Sequence, residues 1–85
     1  MTNEEMLARA KKLVVDFYNA NEERDPVAVD EVFIVWFCKT LQNWKALAAT
    51  HRKDDLYFEI THNGDKDETY LDVYMKVGNI AVPIE

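Results

Sequence analysis

The sequence predicts an α+β domain, with one amphipathic N-terminal helix packed on an antiparallel β-meander of about five strands. Three observations predict it. An apolar stripe at helical spacing opens the chain. Later segments alternate apolar and polar residues with period two. Short polar breaks join these segments, so that sequential strands pair as neighbours.

The helix is expected over about 3–22. Thr2 and Glu5 have the spacing of a capping box, and Glu4 and Glu5 stand where the helix dipole favours acids. Met6, Ala10, Leu13, Val14 and Phe17 form the apolar stripe, with Leu7 and Tyr18 at its margin. Arg9, Lys12, Asp16, Asn19 and Glu23 take the opposite face, where Glu5 and Arg9 can pair. Polar residues around Pro26 then mark an element boundary.

Five strands are expected, at about 31–40, 44–50, 55–62, 67–77 and 80–84. The first, Val32 to Cys38, is β-branched and aromatic and apolar on both parities, which reads as a central strand buried on both faces. The second is ambiguous. Its Lys-Ala-Leu-Ala-Ala run favours helix by propensity, whereas the break at Gln42-Asn43 reads as a hairpin turn. The strand reading is preferred and the helix reading stays open.

The third and fourth strands alternate clearly. Leu56, Phe58 and Ile60 share one face, as do Leu71, Val73, Met75 and Val77. A four-residue loop at Asn63–Lys66 would set Phe58 opposite Leu71 and Leu56 opposite Val73. A tight turn at Gly78-Asn79 would set Met75 opposite Val82, and Pro83 confines that last strand to an edge. The helix stripe and the Leu56, Phe58, Leu71, Val73 and Met75 face would then form the core.

Length and composition fit one domain spanning 1–85. With 48% hydrophobic and 31% charged residues, the chain has a globular balance. Cys38 is the single cysteine, so no internal disulfide can form and a reducing compartment is favoured. No apolar run follows the charged opening, so no secretory leader is expected. The longest apolar run, Val32 to Cys38, falls far short of a membrane span.

The net charge of −6 disfavours non-specific binding to DNA. It is unevenly distributed. Residues 39–53 hold Lys39, Lys45, Arg52 and Lys53 with no acid, and acid-rich stretches flank them.

Few groups suggest catalysis. His51 and His62 could join Asp54 or Asp65 around a metal, but no metal-binding spacing is present. Both histidines read as solvated turn residues. Cys38 with a histidine base would make a nucleophile, but inside an apolar strand a thiol reads as an inert small hydrophobe. The acidic Asn63–Glu68 loop lacks the spacing of a calcium loop. Phosphate-binding glycine motifs and nucleophile elbows are missing. No enzyme, cofactor or metal is expected.

Two surfaces remain. Tyr57, Glu59, Thr61, Tyr70, Asp72, Tyr74 and Lys76 share the wetter sheet face, and tyrosines among acids suit a protein-binding patch. The bland alternative is an ordinary exposed face with cross-strand tyrosine pairs. The second surface is Lys39, Trp44, Lys45, Arg52 and Lys53, which could grip single-stranded nucleic acid. The acidity of the whole chain and the use of tryptophans in cores weigh against it.

The segments DEVFIVWFCKTLQNWKAL (30–47) and YFEITHNGDKDETYLDVYMK (57–76), with AKKLVVDFYN (10–19), resemble a family of small uncharacterised proteins. Phages and prophages of low-GC Gram-positive bacteria encode that family. The strongest pieces are Phe37 to Lys45 and Asn63 to Lys66, and nothing carries over to the C-terminal NIAVPIE. The resemblance implies a bacterial cytoplasmic setting and a domain of unknown function, with no catalytic residues. The leading expectation is therefore a non-catalytic module binding a host or phage protein through Tyr57, Glu59, Tyr70, Asp72 and Tyr74. An acidic DNA mimic is one version of it. The alternatives are a single-stranded nucleic-acid binder and a structural or self-assembling subunit.

Overall fold

In the computed structural model, which describes residues 1–84, a helix α1 (Asn3–Ala20) leads through a 3-10 turn (Val29–Glu31) into four strands. These are β1 (Val32–Thr40), β2 (Asn43–Thr50), β3 (Leu56–Asn63) and β4 (Glu68–Met75). They form one antiparallel sheet in the order β1-β2-β3-β4, with β1 and β4 at its edges. The helix lies across β1 and β2 and covers one face.

The capping box forms as expected. The Thr2 hydroxyl accepts the Glu5 N–H at 3.1 Å, and the Glu5 carboxylate accepts the Thr2 N–H at 3.0 Å. The helix ends two residues before the expected boundary. The Asn21 side chain accepts the Glu23 N–H at 3.1 Å and offers the backbone a local turn. The buried row is Met6, Ala10, Val14 and Tyr18, spaced by four, so Tyr18 is central to the stripe and not marginal. Glu5 bonds Thr2, while Arg9 reaches across to the Thr69 hydroxyl at 3.4 Å.

The ambiguous second segment is a strand. Its Ala46 and Ala48 are fully buried, and small side chains there let the helix approach. Trp44, Phe58, Ile60, Val27 and Val32 complete the core with the helix row. The core sits closer to β2 than expected. Val73 and Met75 on β4 are 40% and 62% exposed, because the helix does not extend over them.

Three further expectations change. The first strand is an edge and not central. Its apolar outer face has no cover, and Phe33, Val35 and Trp36 are exposed. The β3–β4 register is displaced by two residues, pairing Phe58 with Val73, Ile60 with Leu71 and Asn63 with Glu68. Asn63 stays in the ladder because its side chain caps the Asp65 and Lys66 amides at 3.1 and 3.3 Å, which moves the loop to 64–67. A shift of two preserves the faces. Finally, residues 80–84 form no strand, and the Gly78-Asn79 hairpin turn does not occur.

Candidate protein-binding face

Alternation in β3 and β4 forces Tyr57, Glu59, Tyr70, Asp72 and Tyr74 onto one face, because Phe58 and Ile60 are drawn into the core. Tyr57 pairs with Tyr74, Glu59 with Asp72, and Thr61 with Tyr70. All five residues nominated from the sequence thus stand together opposite the helix.

The same face continues across β2 and β1. Leu47 is paired with Glu59 and with Trp36, and Lys45 with Thr61 and Cys38. The register of β1 skips Val35, since Ile34 faces Ala48 while Trp36 faces Leu47. This bulge changes the phase of the strand. Phe33 and Trp36, three residues apart, therefore share the outer face. The sequence reading missed Phe33, Val35, Trp36 and Leu47 as site residues. For Phe33, Val35 and Trp36 the signal was present in a strand apolar on both parities, whereas Leu47 lies on β2.

The patch is aromatic with embedded acids. Trp36, Tyr70 and Tyr74 are each about half exposed. Glu59 is its polar hub, accepting the Tyr74 hydroxyl at 3.1 Å and facing Lys45 Nζ at 3.3 Å. The Tyr70 hydroxyl donates to Glu68. These bonds to carboxylates raise both phenols above the ordinary tyrosine range, so each remains a protonated donor at neutral pH. A cleft of about 700 Å³ opens at one end, lined by Lys53, Leu56, Tyr57, Tyr74, Met75 and Lys76 among others.

The basic residues do not assemble. Trp44 is 3% exposed and faces the helix side, so no base can stack on it. Lys39, opposite Trp44, donates to the Leu41 carbonyl at 2.5 Å, whereas Lys45 lies on the outer face against Glu59. Arg52 is bound structurally, donating to Glu31 at 3.1 Å and to the Pro26 carbonyl at 2.6 Å. Lys53 is exposed at the β2–β3 turn.

The Cys38 thiol and the His62 imidazole, considered as nucleophile and base, stand on opposite sheet faces. Cys38 is exposed on the outer face and His62 is buried on the inner one. His62 is thus a core residue and not the solvated one expected from its neighbourhood. His51 is exposed and packs against Phe33 at 4.8 Å between ring centroids. Among the described residues, no group of three or more His, Cys, Asp or Glu could hold a metal ion, and no helix is long and apolar enough to cross a membrane.

A model of a family of unknown function (DUF6275) matches residues 7–84, and the chain belongs to that family. No curated protein and no solved structure matches it.

Proposed function

We propose that this member of a family of unknown function is a non-catalytic protein-binding module that docks its partner on the outer sheet face. One observation carries the reading. Edge strand β1 is apolar on both faces, yet the described residues cover only one. Phe33, Val35 and Trp36 are left exposed on the sheet face that carries Tyr70 and Tyr74 at its other edge, across β2 and β3. Exposed apolar and aromatic side chains gathered on one sheet face, with polar residues among them, suit an interaction surface.

The chemistry of the face selects the partner. Aromatic rings with Glu59, Glu68 and Asp72 suit an apolar protrusion flanked by Lys or Arg, through charge pairing and cation–π contacts. The sequence likeness to phage and prophage proteins favours a host or phage protein in the bacterial cytoplasm. The net charge of −6 supports a narrower version, in which the acids imitate DNA on a nucleic-acid-binding protein.

The test compares the tagged chain with a Trp36→Ser/Tyr74→Ser variant in pull-downs from nuclease-treated Gram-positive lysate. Both side chains are exposed, so the variant keeps its fold and its melting temperature to within a few degrees. The expected result is one stoichiometric protein, recovered with wild type and lost with the variant. Equal recovery by the folded variant would refute the face, and an empty wild-type eluate would refute the module. Retardation of single-stranded DNA at low salt would instead favour the nucleic-acid reading.

A further inference from the structure

The segment after β4, residues 77–84, is rich in apolar side chains that stand exposed among the described residues. Val77 and Ile84 are 99% exposed, Ile80 is 85% and Val82 is 80%. No charged residue lies between Val77 and Ile84, in a chain of net charge −6. The strand it follows has a matching vacancy. β4 is an edge, so its outward N–H and C=O groups face no strand, and Val73 and Met75 are left exposed on its helix side. Such an edge is a template for another strand.

The chain's own tail does not fill it. Reversal at Gly78-Asn79 needs a glycine at positive φ, and no described glycine has one. Instead the Lys76 N–H donates to the Asp55 carbonyl at 2.7 Å, which carries the line of β4 one residue further.

We propose that residues 80–84 add as a strand to the β4 edge of a second copy, reciprocally. The 68–84 segments of the two copies run antiparallel about a twofold axis, each tail beside the other's β4. This surface is separate from the aromatic face, and the proposal stands apart from the function above.

Four features support this occupant. Residues 77–84 carry no charged side chain, so this stretch can approach an acidic copy without side-chain repulsion. Its six residues from Asn79 to Ile84 extend about 20 Å at roughly 3.4 Å each, which fits along the eight-residue β4. The apolar phase changes from odd positions in β4 to even positions in the tail, and Gly78-Asn79 supplies the irregularity that returns Ile80, Val82 and Ile84 to the helix side. When those three residues hydrogen-bond to β4, the missing N–H of Pro83 points outward. Pro83 then blocks a further strand, and the assembly closes at two.

The test is the mass of the full chain by sedimentation equilibrium from micromolar to near-millimolar concentration. The expected mass is twice that of the monomer. An Ile80→Asp/Val82→Asp variant should be monomeric with an unchanged circular dichroism spectrum, while Trp36→Ser/Tyr74→Ser should remain dimeric. In a mixed sample of labelled and unlabelled chains, intermolecular NOEs should join Val82 methyls to Val73 and Met75. A monomer at every concentration overturns the proposal. So does a dimer that survives the tail substitutions, or NOEs that are solely intramolecular.

Discussion

Trp44 and His62 face each other on β2 and β3 with rings stacked, centroids 5.4 Å apart and planes 15° from parallel. Both are buried, at 3% and 6% exposure. His62 Nδ1 lies 2.7 Å from the Thr69 hydroxyl, whereas Trp44 Nε1 has no partner among the described residues. A stacked pair of this kind contributes about 1 kcal/mol beyond its burial. A double-mutant cycle with Trp44→Leu and His62→Leu in urea should return a coupling of about 1 kcal/mol. Trp44→Leu alone should cost less than the ~3–5 kcal/mol of a large core truncation, because an orphaned donor leaves with the ring. Strict additivity of the two substitutions would show that the stack stabilises nothing.

The stack also illustrates what the sequence could and could not disclose. Period-two alternation placed Phe58 and Ile60 inward and the tyrosines outward, since each strand sets its own two faces. Thr2 and Glu5 announced the helix start because capping is local. His62 was misjudged because its neighbours in sequence are polar, while its burial comes from Trp44 and Thr69 on other strands. The composition of β1 shows that both faces are apolar, but not that only one is covered within the chain. The bulge at Val35 hid Trp36 from the site, since a skipped residue changes the parity on which the reading relies. The two-residue register error arose from side-chain bonds of Asn63, which alternation cannot register.

Tyr18 is anchored at both ends. Its ring packs against Phe58 at 5.8 Å, and its hydroxyl donates to Asp54 at 2.5 Å. Burial, and then the bond to Asp54, hold the phenol above the ordinary tyrosine range. Tyr18→Phe keeps the packing, removes the donor and should cost about 1.5 kcal/mol near neutral pH. A raised folded pKa means that this contribution is complete below the unfolded value and is lost as pH rises from there through the folded value. The stability gap between wild type and Tyr18→Phe, followed by denaturant melts, should therefore narrow above about pH 10. A gap that stays constant into alkali would contradict the assignment.

Gly64 is where the two hairpin tips touch. A Cβ there would lie 2.2 Å from the Gln42 carbonyl oxygen and 2.6 Å from the Gln42 Cβ. The Gly64 N–H donates to the Asn43 side chain at 2.9 Å, and Gln42 bonds Asp65, so the tips are tied as well as close. Gly64→Ala must push them apart and should cost about 2 kcal/mol, read as a lower urea midpoint with an unchanged slope. Wild-type stability in this variant would mean that the tips yield freely.

Leu41 occupies the left-handed region at φ 55° in the two-residue β1–β2 turn, with 78% of its surface exposed. That conformation costs a residue with a Cβ roughly 1–2 kcal/mol, and an exposed leucine recovers little by packing. Asparagine tolerates the region, so Leu41→Asn should stabilise the chain by about 0.5–1 kcal/mol in thermal melts. A lower melting temperature would show that Leu41 makes a compensating contact.

Glu31 ties the 25–31 connection to the turn before β3. Arg52 Nε donates to its carboxylate at 3.1 Å, and the same carboxylate accepts the Ala28 N–H at 3.2 Å. The Arg52 bond first, and then the Ala28 N–H, hold the Glu31 carboxyl below its ordinary range. A depressed folded pKa means that the contribution is complete above the unfolded carboxylate value and is lost as pH falls through the folded one. Glu31→Gln should therefore melt below wild type at neutral pH, and the difference should close on acidification below about pH 4. Arg52→Gln should reproduce the neutral-pH loss and add to it, since Arg52 also holds the Pro26 carbonyl at 2.6 Å. If the two melting curves keep the same separation from neutral pH into acid, the Glu31–Arg52 pair does not hold this connection.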